Sequence, residues 1–160
     1  MKIKTGIGQD SHAFESAPGK PLILAGIEFD NDNGLKGNSD ADVVLHSLTN
    51  AISSITGKNI LGKIADELCQ QGVTDSREYL KCALKDLGDW NISHIAISLE
   101  CLKPKISPRV EEMRASIAEL CNISIGDVGI TATTGESLTA FGKGQGIQAL
   151  TIITTAKHDY

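Results

Sequence analysis

The order of elements along the 160-residue sequence predicts an α+β fold. Three observations carry that expectation. β-rich, alternating stretches open and close the chain. Runs with helical periodicity fill its middle. A strand–helix–strand–strand order then follows, instead of the regular β–α alternation of a parallel α/β sheet. One domain spanning residues 1–160 is expected, because this length suffices for its own core and no repeat, linker or low-complexity segment divides it.

Residues 2–9 alternate loosely and read as a strand ending at Asp10–Ser11–His12. Pro18, Gly19 and Pro21 make 16–21 a turn. Residues 22–25 and 27–29 are extended on either side of Gly26, and 30–34 is a polar turn. The segment 34–39, with Gly34 and Gly37, reads equally as a mobile flap over substrate or as a plain connector. A helix is expected over 40–54, with Ser39 as its cap, Asp40 and Asp42 at its positive end, and Gly57 as its stop. Residues 60–68 form a shorter helical candidate, and 70–74 a loop. Asp75 caps the next helix, with Glu78 completing a capping box, and Gly88 ends it after Leu87. Residues 94–99 alternate as a strand. Ser107 caps a helix with Pro108 at its first position, running to about Leu120 and ending near Asn122. Residues 128–133 form a strand, 135–146 a Gly-rich loop, 148–155 the closing strand and 157–160 a tail.

Composition excludes several classes. A net charge of −5 argues against a general nucleic-acid binder, and no basic stripe is interleaved with aromatics. No stretch approaches membrane-spanning length, so no membrane partner is expected. Cys69, Cys82, Cys101 and Cys121 lack any C-x-x-C pair and read as reduced thiols. No signal peptide is recognised, so a cytoplasmic location is expected. Gly57–Lys58 lacks the remainder of a phosphate-binding Walker loop. Ser11 beside His12 is a poor start to a hydrolytic triad, because strand neighbours face opposite sides.

Two stretches suggest a metal centre. Asp10 and His12 are two apart, so they share one face of a strand. Asp42 and His46 are four apart on one helical face. One carboxylate (Asp10) and two imidazoles (His12 and His46) make a three-ligand set with an open fourth position, as catalytic zinc is held. Asp42 is read as a partner orienting an imidazole, or as a helix N-terminal carboxylate. The bland reading of all four is satisfied surface and cap residues.

The ordered set of motifs resembles the 2-C-methyl-D-erythritol 2,4-cyclodiphosphate synthases. It comprises Asp10–Ser11–His12–Ala13–Phe14, Ser39–Asp40–Ala41–Asp42 with His46, and Asp75–Ser76–Arg77–Glu78. Lys103–Pro104–Lys105, Thr131–Ala132–Thr133–Thr134–Gly135–Glu136 and Gly142–Lys143–Gly144–Gln145–Gly146 complete it. The likeness covers nearly the whole chain and is more specific than any one piece. It implies a compact domain with a four-stranded mixed sheet, helices packed on one face, and a homotrimer with each active site between neighbours. It also implies a lyase of isoprenoid biosynthesis. A phosphate on methylerythritol attacks the β-phosphorus of its own cytidine diphosphate ester, releasing CMP.

By the same resemblance, Asp10, His12 and His46 hold Zn2+, and Glu136 helps hold Mg2+ or Mn2+ on the diphosphate. Thr134 steadies the transition state. Asn38 stands where the family has a catalytic histidine, and can donate a hydrogen bond but carries no charge. Cys101, Lys105, Ile106, Ser107, Ala132 and Thr133 fall along the cytidine-phosphate pocket. Asp10, Ser11, His12, Asn38, Ser39, Gly62, Thr134 and Glu136 complete the substrate-binding set. Lys143 replaces an arginine near the trimer axis, keeping charge but losing the planar fork. Without the resemblance, Lys105 and Lys143 read as solvated lysines, Glu136 as a surface carboxylate, and Thr133 and Thr134 as a β-branched strand end. Ile60 stands where the family has an aspartate for the sugar-alcohol hydroxyls. Asn38 and Ile60 therefore leave open a divergent lyase on a related nucleotide diphosphate ester. A non-catalytic trimeric zinc protein is the remaining alternative.

Overall fold

The computed structural model describes residues 1–31 and 33–158. Parts of the expected 30–34 turn and 157–160 tail lie outside the described residues. Along the chain run β1 (Lys2–Ala13), β2 (Leu22–Leu24), β3 (Ile27–Phe29), α1 (Val43–Thr56), α2 (Lys63–Gln70) and α3 (Ser76–Asp86). They are followed by β4 (Asn91–Glu100), α4 (Val110–Cys121), β5 (Val128–Thr133) and β6 (Gly146–Lys157). The main sheet has the order β1-β6-β4-β5, and β2-β3 form a small hairpin. β6 is antiparallel to β1 and β4, while β4 and β5 are parallel. β1, β4 and β5 therefore all run the same way, and the sheet is mixed as expected.

Helices cover one face: α1 lies on β1 and β6, α4 on β5, and α3 against α1. Leu45, Leu48, Ile52, Tyr79, Leu80, Leu99, Met113 and Ile153 fill the space between. α1 approaches β1 closely because β1 has no side chain at two inward positions. A Cβ on Gly6 would lie 2.2 Å from the Ala51 carbonyl oxygen, and one on Gly8 2.1 Å from that of Ser47. Among the described residues, the other sheet face carries no helix. Ile3, Ile7, Leu150 and Ile152 are exposed there, Ile7 at 58% and Ile152 at 44%.

Asp42 ties the hairpin to α1. It is fully buried and caps the helix, accepting from Val44 N at 3.1 Å and Leu45 N at 3.0 Å. It also accepts from Ala25 N at 3.0 Å and Gly26 N at 2.6 Å, the tip of the hairpin. That tip has φ +55° and +75°, the pair of positive angles a two-residue I′-type loop requires. Burial pushes the Asp42 carboxyl up to about 7, against the pull of these N–H donors.

Several local expectations are corrected. Ser39 does not cap α1; its Oγ accepts from Ala41 N, and the helix begins three residues later than expected, at Val43. Asp42 spends its oxygens on backbone N–H groups, so it does not orient an imidazole. β1 runs on through Asp10 and His12 to Ala13. The second helix begins at Lys63, leaving Ile60 in the core at 2% exposure. Asp75 caps α3 through Arg77 N, but Glu78 pairs with Lys81 and closes no capping box. Ser107 opens a 3-10 turn, Ser107–Arg109, and α4 starts only at Val110. Gly57 and Asn122 end their helices in the left-handed conformation as expected. Among the described residues, no helix is long and apolar enough to cross a membrane.

Candidate metal centre and a second cleft

β1 and α1 bring three ligand-bearing side chains together. Asp10 and His12 point to the face that α1 covers, and His46 stands on the first turn of α1. Ligand atoms of Asp10, His12 and His46 all lie within 4.8 Å of one another. Asp10 Oδ2 is 2.9 Å from His12 Nε2 and 3.1 Å from His46 Nδ1. The two rings meet edge to face at 5.6 Å.

The His12 contact is close in distance but poorly directed, and His12 Nε2 is buried with no hydrogen-bond partner. We read that contact as charge proximity. Burial pushes the Asp10 carboxyl up, but the two imidazoles more than offset this and hold it at about 2. The Asp10 carboxylate in turn raises the His12 pKa, against the effect of burial. A buried ring nitrogen without a partner, beside a carboxylate and a second imidazole, fits a divalent ion that accepts N and O ligands.

The centre opens into a cleft of about 320 Å³. Asp10, His12, Asn38, Ser39, His46 and Gly62 line it, as the sequence suggested. Asn50, Asp66, Cys69 and Tyr79 join them from three helices. No sequence signal singled these out, because they meet only through helix packing. Ser11 does not belong with them: strand alternation turns it to the uncovered face. Within the 34–39 segment, Leu35 bridges to Phe14 and Gly37 O accepts from Lys20 Nζ at 3.0 Å.

A second cleft, of about 240 Å³, lies at the carboxyl ends of the parallel pair β4 and β5. Crevices of that kind are where parallel strands usually seat ligands. Cys101, Lys105, Ile106, Ser107, Ala132, Thr133 and Thr134 line it. Burial, with the nearby Glu100 charge, raises the Cys101 thiol to about 11, so it serves as a neutral wall. Glu136 and Lys143 are exposed on the following loop and line neither cleft. Glu136 and Ser137 hold φ of +52° and +59°, unusual for side-chain-bearing residues.

Register places the two clefts on one line. Asp10 pairs with Ala149, Ala149 with Leu99, and Leu99 with Ala132. Three strand spacings separate the ends of that row, about 14 Å. The clefts share no lining residue.

A one-sided mixed sheet holding an Asp–His–His centre against its first helix is the framework of a metal-dependent α+β enzyme. The family model described as YgbB matches residues 3–156, and the chain belongs to the YgbB family. The curated 2-C-methyl-D-erythritol 2,4-cyclodiphosphate synthase of Chlamydia caviae is 50% identical over 158 residues, 97% of this chain and 90% of that protein. The bifunctional IspDF of Campylobacter jejuni has the same fold, with a TM-score of 0.85 and 30% identity over 99% of this chain. This chain spans 43% of that longer one. A 2C-methyl-D-erythritol-2,4-cyclodiphosphate synthase solved in a CDP-bound form matches with a TM-score of 0.80 and 26% identity. That match covers 96% of this chain and all of the other.

Proposed function

We propose that this chain converts 4-diphosphocytidyl-2-C-methyl-D-erythritol 2-phosphate to 2-C-methyl-D-erythritol 2,4-cyclodiphosphate and CMP, in the non-mevalonate route to isoprenoids. One observation carries the reading: the Asp10–His12–His46 centre sits in a chain half identical to synthases of that name. The 2-phosphate oxygen forms a bond to the β-phosphorus, and the bond from that phosphorus to the CMP oxygen breaks. Little covalent work falls to the protein, so positioning and charge decide the rate.

Asp10, His12 and His46 would hold zinc, and Glu136 would help hold magnesium or manganese; such ions would supply Lewis-acid stabilisation to phosphate oxygens. Lys105 is the countercharge for the leaving phosphate. Thr133 and Thr134 present hydroxyls at the end of β5, and Thr134 supports the transition state. Cys101, Ile106 and Ala132 form the less polar wall for the nucleoside, with Ser107 at its rim. Asn38 and Ser39 bring hydrogen-bonding groups beside the centre, together with Gly62. Ile60 is buried in the core, so contacts to the sugar alcohol fall to other groups of the metal cleft, Asn50 and Asp66 among them. Lys143 adds positive charge on the 135–146 loop, close to the trimer axis. Ser11 plays no direct part, because it faces away.

The whole chain acts as one domain and assembles as a homotrimer. The apolar face bearing Ile7, Leu150 and Ile152 supports that assembly, and so does the 14 Å row between the clefts. A neighbouring copy closes each metal centre with its own nucleotide cleft. Four free thiols suit the cytoplasm. The test is turnover by purified protein supplied with zinc and magnesium, followed by 31P NMR. Stoichiometric CMP and cyclodiphosphate are expected. Tight binding of the substrate without CMP release would instead favour a related nucleotide diphosphate ester.

A further inference from the structure

The far side of the His46 ring is as well built as the side that faces Asp10. His46 Nε2 lies 2.8 Å from Ser76 Oγ. Ser76 is fully buried at the first position of α3, and its hydroxyl donates to Asp40 Oδ1. Ser76 N donates to Asp40 Oδ2 at 3.1 Å. Asp40 is itself fixed: its N–H reaches Thr74 O at 2.9 Å, and its Oδ1 accepts from Asp42 N at 3.1 Å.

The direction of this chain follows from proton counting. A carboxylate only accepts, and a serine hydroxyl has one proton to give. That proton goes to Asp40, so Ser76 Oγ meets His46 with a lone pair. The imidazole must then carry its own proton on Nε2. With an ion bound, a ring protonated there presents its lone pair on Nδ1, the atom that lies 3.1 Å from Asp10 Oδ2 in the ion-free centre. Capping does not account for the serine, since Asp75 already takes Arg77 N at the start of α3. A fully buried hydroxyl is costly to desolvate unless it is used.

We propose that Ser76, held by Asp40, is a positioning residue that fixes the orientation and tautomer of His46, so that Nδ1 faces the metal. The inference rests on the metal reading of the centre, not on the identity of the substrate. It also joins that centre to the segment carrying Asn38 and Ser39, because Asp40 follows them directly and grips α3.

The test is zinc affinity of the full-length, metal-stripped protein, measured by competition with a chromophoric chelator, with the visible spectrum of the cobalt-loaded form alongside. Ser76→Ala is expected to bind zinc about 10–100-fold more weakly and to shift the cobalt bands. Ser76→Thr keeps the hydroxyl and is expected to bind as the unaltered protein does. Native affinity in Ser76→Ala, or equal losses in both variants, would overturn the proposal. If Ser76→Ala does not fold, Asp40→Asn decides. Its amide can donate to Ser76 Oγ and reverse the chain, so weaker zinc binding supports the proposal and unchanged binding overturns it. Failure of the unaltered protein to take up zinc would overturn the centre itself, and that outcome is distinguishable from a failure confined to the variants.

Discussion

Replacing Gly8 by alanine should separate α1 from β1 and loosen the metal centre together. The new Cβ would stand 2.1 Å from Ser47 O and 2.2 Å from Ala51 N. Real Cβ contacts essentially never fall below 3.0 Å, so the helix or the strand must move by about 0.9 Å (3.0 − 2.1). Both atoms are backbone, and no side-chain rotation relieves the clash. Overpacking of this kind costs about 1–3 kcal/mol. At about 2–4 °C per kcal/mol for a chain of this size, the melting temperature should fall by about 2–12 °C. His46 immediately precedes Ser47, so the same displacement moves Nδ1 away from Asp10. Differential scanning calorimetry and chelator competition measure the two effects on one sample. A Gly8→Ala protein with native melting temperature and native zinc affinity would refute the argument that the bare strand sets the helix distance.

Three further outcomes are expected. In zinc-free protein, the raised His12 pKa contributes stability that is full below 6.5 and fades as pH rises through the folded value. The depressed Asp10 pKa contributes above 3.8 and is lost as pH falls towards about 2. The pair therefore stabilises the zinc-free protein most between about pH 4 and 6.5. Zinc, which displaces the protons, should move that optimum upward in melting curves taken across pH. Asp42→Ala leaves four N–H groups, three of them buried, without their acceptor and should cost about 2–4 kcal/mol in urea unfolding. Ile152→Asp on the uncovered face should yield monomers by sedimentation velocity and abolish turnover while leaving far-UV circular dichroism unchanged; a native trimer would move the assembly interface elsewhere.

The sequence was most legible where one residue decides a local geometry. Gly57 and Asn122 marked helix ends because the left-handed conformation favours them. β5 was expected over the residues it occupies, because β-branched side chains sit between turn signals. Asp10, His12 and His46 were legible as neighbours that could hold an ion, since strand and helix periods place them on inward faces. The cap of α1 was not. Ser39 and Asp42 both suit the role, and the choice falls to the hairpin tip, which no local window contains. Ser76 was visible within its motif as a residue, but its task depends on Asp40 and His46, each more than 25 positions away. The sides of the metal cleft contributed by Asn50, Asp66 and Tyr79 were hidden for the same reason.

The uncovered side of the sheet ties making this protein to concentrating it. A lone, newly folded copy shows water a band of isoleucine and leucine on strands that are already hydrogen-bonded. Such a copy either meets its like or sticks to something else. In the proposed trimer, dilution should therefore lower the melting temperature, since docking would add stability by mass action. Yield in a cell should depend on how fast copies are supplied relative to how fast they stray.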